Sequence, residues 1–217
     1  MDMKLAEMPK SNLRGLIAPL IALVAITLSI AISPGFSWLE NALSDLGHYT
    51  RTDLGDFQLV SAIIFNSGLI VTGILELSYV VPLIKKHSDI VNRIGLSVFA
   101  ISALFLVMIG IFSENFSPTH FLVSVGFFAT FPFAMWIVGF GLLRYRNLWW
   151  FAIVSIVLPF LSIYIWWGTY AGIMPWSGVA LPEIITAMSA ICWIWIINCL
   201  QYKNKLQSEN TEMEALQ

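Results

Sequence analysis

Six long apolar blocks, at about residues 15–33, 57–83, 94–112, 120–142, 148–168 and 179–200, alternate with short polar stretches. Each block is close to the roughly 20 residues that carry a helix across about 30 Å of hydrocarbon. The blocks are continuously apolar, without the alternation of barrel strands, and backbone groups in lipid must pair within their own segment. Helices are therefore predicted. The fifth block carries its own ruler: Trp149 and Trp150 stand at one end and Trp166 and Trp167 at the other. Along a helix these pairs lie about 27 Å apart, the spacing of two headgroup layers. Pro19, Pro132 and Pro159 fall inside blocks and predict kinks. The expected fold is an all-α, polytopic integral membrane bundle of six transmembrane helices, spanning residues 15–200.

The longest connection, from Ser33 to Asp56, has a pattern of its own. Pro34-Gly35 ends the first block, and Ser37-Trp38-Leu39-Glu40 has the form of a capping box. Trp38, Leu39, Ala42, Leu43 and Leu46 then share one face of a helix, with Glu40, Asn41 and Ser44 opposite. A short interfacial helix over about 37–46 is predicted, lying apolar side down on the bundle and stopped by a left-handed Gly47.

Composition agrees with lipid as part of the solvent. The chain is 58% hydrophobic and 11% charged, with nine Trp and fifteen Phe, more apolar surface than 217 residues can hide in a soluble core. The net charge of −2 says little, but its distribution says much. Lys4, Lys10, Arg14, Lys85, Lys86, Arg93, Arg144, Arg146, Lys203 and Lys205 all fall on one side of the predicted ladder, and Arg51 alone falls on the other. Positive charge near span ends is retained in the cytoplasm, so both termini are expected inside a cell membrane. Residues 1–14 then form a cytoplasmic N-terminal segment and 201–217 a flexible cytoplasmic tail. Basic residues before the first block and Ser29-Ile30-Ala31 within it resemble a secretory leader, but the run is long for one and is read as a span. Membrane lipids are the expected partners. No basic patch with interleaved aromatics suggests nucleic acid.

Familiar soluble chemistries find no support: the chain has no CxxC, HExxH, P-loop, GxSxG or dinucleotide glycine pattern. Cys192 and Cys199 sit about 10 Å apart along one helix, too far for a disulfide. The candidate chemistry lies on the side away from the basic residues. Asp45, with Ser44, falls in the connecting segment, Glu114 at the end of the third block, His120 at the head of the fourth and Glu183 at the head of the sixth. Asn66 lies about three turns into the second block, where an amide needs a partner. These groups predict an outward-facing polar pocket in which Asp45, His120 and Glu183 act as acid and base, or as ligands of an unspecified metal. Each also has an ordinary role, in capping, at helix dipoles or facing headgroups. Glu76 stands apart, about 13 Å inside the basic boundary marked by Lys85. It is either a neutral or locally paired carboxyl or, with Asn66, part of a transport path.

The motifs Asn41-Ala42-Leu43-Ser44-Asp45-Leu46-Gly47 and Ile64-Phe65-Asn66-Ser67-Gly68, with a His heading the fourth block and Leu181-Pro182-Glu183-Ile184 heading the sixth, resemble the DUF998 family over about residues 15–200. The resemblance implies a polytopic, largely archaeal and bacterial membrane protein of unassigned activity and supplies no cofactor. Three functions follow as alternatives. One is a membrane-embedded enzyme acting on a lipid or lipid-linked substrate at the outer leaflet. Another is a small-solute or proton-coupled transporter using Asn66 and Glu76, and the third a noncatalytic module that takes a ligand or partner on its outer side.

Overall fold

In the computed structural model, which describes residues 8–202, six helices long and apolar enough to cross a membrane follow one another: α1 (Lys10–Ala31), α2 (Gln58–Lys86), α3 (Ile90–Ile111), α4 (Thr119–Leu142), α5 (Trp149–Tyr170) and α6 (Ala180–Tyr202). Successive helices run antiparallel, so Lys10, Arg14, Lys85, Lys86, Arg93, Arg144 and Arg146 collect at one end of the bundle. Asp45, Glu114, His120 and Glu183 collect at the other. These are the basic and the acidic end below. Lys4, Lys203, Lys205 and most of the predicted tail lie outside the described residues.

Packing is uneven around the ring. α1, α2, α3 and α4 lie tightly against one another in sequence, whereas α5 and α6 make sparser contacts. Small residues set the tight seams. Gly68 of α2 faces Ala25 of α1, and Gly110 of α3 lies against the Asn66 carbonyl, where a β-carbon would meet the oxygen at 2.6 Å. Close backbone approach of this kind is how helices associate when lipid removes the hydrophobic drive between them. The basic half is filled by aromatics meeting edge to face: Phe99 with Phe131 at 5.4 Å, and Trp193 with Phe131 at 5.5 Å and with Phe99 at 5.8 Å between centroids. The Trp193 indole N–H donates to Ser155 Oγ at 2.9 Å, so no donor is stranded.

Two polar clasps hold the basic end. The amide of Asn12 donates to Asn198 Oδ1 at 3.0 Å while that of Asn198 donates to the Asn12 carbonyl at 2.9 Å, closing α1 onto α6. Asp89 caps α3 by accepting from the Asn92 N–H at 2.8 Å and pairs with Arg144 at 2.5 Å. Neither clasp is visible as a pattern, because each joins residues far apart in the chain.

The helix expected over about 37–46 takes a shorter and more deeply set form. Residues 37–41 make a turn in which the Ser37 N–H donates to Asn41 Oδ1 at 2.8 Å, and only Leu43–Gly47 are helical, as one 3-10 turn. Leu43, Asp45, Leu46 and Gly47 are buried. The segment plugs the acidic end of the bundle because its backbone groups find better partners there than along a surface helix. The Asn41 carbonyl accepts from the Ala180 N–H at 2.8 Å, and the Leu39 carbonyl from the Gly178 N–H at 2.8 Å. Gly47 is not a left-handed stop, since the positive-φ glycines among the described residues are Gly55 and Gly172. It is needed for space: a β-carbon there would stand 2.6 Å from Asn66 Oδ1 and 2.9 Å from the Phe65 ring.

Candidate functional site

The plug is stitched to α2 from below. Gln58 Nε2 donates to the carbonyls of Asp45 at 3.0 Å and His48 at 2.8 Å, Ser61 Oγ to that of Leu46 at 3.2 Å, and Asn66 Nδ2 to that of Gly47 at 2.8 Å. Asn66 thus finds the partner its position demanded in the plug, through the Gly47 carbonyl.

Asp45 organises the plug from within. Its Oδ2 accepts from Asn41 Nδ2 at 2.6 Å and from the Ala42 N–H at 3.1 Å, and its Oδ1 meets Arg51 at 2.5 Å. Arg51, the one Lys or Arg of this end among the described residues, also pairs with Asp53 at 2.7 Å. That bond holds the exposed Asp53 carboxyl down at about 2 and makes Arg51 still harder to deprotonate. Asp45 also stands beside Glu114. Two carboxyls in contact cannot both ionise cheaply. Burial first, then the neighbouring Asp45, pushes Glu114 up to about 7, with Arg51 opposing.

Glu183, at the start of α6, is buried and accepts the Leu43 N–H through Oε2 at 2.6 Å. It thereby fixes the first turn of the plug to α6. His120, at the start of α4, has Nδ1 at 2.7 Å from the Phe112 carbonyl. A carbonyl only accepts, so Nδ1 carries the proton and the neutral ring leaves Nε2 as the acceptor. Nε2 lies 3.4 Å from Ser124 Oγ, one turn along the same helix.

His120, Glu114, Glu183, Ser44, Ser117 and Ser124 line one cleft of about 650 Å³ between α4, α5 and the start of α6. The remaining wall is apolar and aromatic, with Phe128, Trp166, Trp167 and Tyr170 among its residues, and Phe121, Val125, Trp167 and Tyr170 are exposed on the bundle surface. The sparse packing of α5 is what leaves this space. Asp45 does not line it and reaches it only through Glu114.

A narrower chamber of about 90 Å³ runs inward, sharing Ser44, Ser124, Phe128 and Glu183 with the cleft. It extends between Leu69, Phe127 and Phe131 to Glu76 and Thr72. Glu76 is 4% exposed and has no hydrogen bond or ion pair among the described residues. Toward the basic end stand Tyr79, Leu83 and Trp193, all fully buried. Among the described residues no group of three His, Cys, Asp or Glu side chains is arranged to hold a metal ion.

A protein-family model described as "Protein of unknown function (DUF998)" matches residues 16–198. The chain belongs to the DUF998 family. It is a multi-pass membrane protein. No curated protein and no solved structure matches it. Membership of DUF998 brings no site assignment, so the arrangement is read from its own residues. Of the polar residues singled out in the sequence, Asn41 and Asp45 build the plug, Asn66 holds it from α2, and Ser44, His120 and Glu183 face the cleft. Ser124 was missed in the sequence. Its signal is the His120-x-x-x-Ser124 spacing, which places both side chains on one helix face.

Proposed function

We propose that this protein takes an amphipathic, lipid-like molecule sideways from the bilayer into the cleft between α4 and α5 and handles its polar end at His120, Glu114 and Glu183. The observation that carries this reading is the layout of the cleft. Apolar and aromatic walls lie at membrane depth, and the polar groups gather at the acidic end, where a headgroup would sit. The charge bias supports reading that end as the outer-leaflet side, with both termini in the cytoplasm.

A catalytic version of this reading is favoured by the contact of Ser124 Oγ with His120 Nε2. A hydroxyl beside an imidazole whose other nitrogen is fixed by a carbonyl is the arrangement of a nucleophile with its oriented base. His120 would take the Ser124 proton as the hydroxyl attacks an ester carbonyl carbon of the bound molecule. A neighbouring carboxyl would protonate the alcohol oxygen as the ester C–O bond breaks, and water would then release the acyl group from Ser124. A transport path is less well supported, because the chamber ends at Glu76 above a wall of buried side chains.

The test is purification of the wild type and of Ala129→Trp, which fills the cleft wall, followed by mass spectrometry of the molecules retained. An amphiphile held by the wild type and lost from the folded variant is expected, and equal retention would sink the reading. In the same preparations a fluorophosphonate probe should label Ser124. If labelling is unchanged in His120→Ala, the catalytic version fails.

A further inference from the structure

The cleft and chamber share a sign of charge. Among the described residues lining them there is no Lys or Arg, and the groups that carry charge are Glu76, Glu114 and Glu183, beside His120. Arg51, the nearest cation of this end, is held by Asp45 and Asp53. An anionic headgroup would find no counter-charge in either space. Glu76 sharpens the point, because it opens into the chamber while 96% buried and without a partner among the described residues. An ionised carboxyl in such surroundings is costly unless a cation joins it. Phe65, Phe127 and Phe131 supply aromatic rings around the same space, a further feature that suits a cation over an anion.

From these residues we infer that the chamber is a binding site for the cationic head of an amphiphile: a protonated amine enters to Glu76 while its alkyl stem passes Leu69 and Phe128 into the cleft. The size fits. The chamber, about 90 Å³, admits several water-sized groups and so has room for an ammonium group and the first carbons of its stem. Thr72, one turn from Glu76 on the same helix face, adds a hydroxyl at the floor. This inference rests on the lateral entry of an amphiphile proposed above and, for a polar end that is a protonated amine, moves that end past His120, Glu114 and Glu183 to Glu76.

The experiment uses the full chain in nanodiscs of a neutral lipid and follows thermal stability as decylamine, decanol or decanoate is added. Decylamine is expected to stabilise the wild type, with decanol and decanoate each at least about tenfold weaker, the difference being attraction to one carboxylate. In Glu76→Gln the preference for the amine should disappear. Should that variant fail to fold, Leu69→Trp, which narrows the chamber and leaves Glu76 in place, should give the same loss. Equal effects of amine and alcohol on the wild type, or an amine preference unchanged in a folded variant, would overturn the inference. A protein that still retains an amphiphile sensitive to Ala129→Trp but ignores decylamine would leave the lateral reading standing and sink only this one.

Discussion

Asp45 and Glu114 show how two residues of one chemistry take different duties. Asp45 is surrounded by donors from Asn41, Ala42 and Arg51. Glu114 touches Asp45, and its Oε2 is buried with no hydrogen-bond partner among the described residues. Its folded value of about 7 stands above the ordinary 4.5, chiefly through burial, with Asp45 and Asp53 raising it and Arg51 lowering it. A carboxyl raised on folding adds stability that is fully present below pH 4.5 and is lost as pH rises through about 7. Thermal stability is therefore expected to fall across that window and to become flatter in Glu114→Gln, which keeps a hydrogen-bond donor toward Asp45. An unchanged pH profile in the variant would contradict this account. Asp53 acts in the opposite sense and at lower pH. Its contribution is present above 3.8 and is lost as pH falls toward about 2, so the two windows do not overlap.

At the scale of the element, α2 organises the acidic half. Gln58, Ser61 and Asn66 bond to the plug, and Gly68, two turns along the same face as Ser61, is seated on Ala25 of α1. Further down, Thr72 Oγ1 donates to the Ala18 carbonyl at 3.2 Å, and Glu76 opens into the chamber. The seam with α1 must stay closed for plug and chamber to keep their shapes. Gly68→Leu is expected to force the helices apart at a cost of about 1–3 kcal/mol, with Gly68→Ala less severe. Melting curves of detergent-solubilised protein check this, and a variant as stable as the wild type would show that the seam adjusts freely. The interfacial helix predicted from the spacing of Trp38, Leu39 and Leu46 is shortened to one turn over Leu43–Gly47. Of the predicted apolar face Leu43 and Leu46 are buried while Trp38 and Leu39 stay exposed, because the exchange of backbone bonds with 177–180 determines the fold of the segment.

For the whole molecule, a tight wall of α1 to α4 and a looser α5 and α6 make a bundle open sideways at one end. Its sidedness can be tested with single cysteines at Glu40 and Lys86, both exposed, in a background lacking Cys192 and Cys199. A membrane-impermeant thiol reagent applied to intact cells should label the first and spare the second. The reverse pattern would invert the proposed orientation. The six spans were legible in the sequence because lipid imposes a length and an apolar composition on any helix that crosses it, one residue at a time. The clustering of Glu114, His120 and Glu183 at one end followed from the same rule once the spans alternated in direction. Three things were decided only by tertiary structure: the separation of Asp45 from the cleft it helps to shape, the partner of Asn66, and the chamber that joins Ser124 to Glu76. Hydropathy measures transfer of single side chains into lipid. Which helices pack tightly, which leave a gap and which polar groups meet across it depend on contacts between residues far apart in the chain.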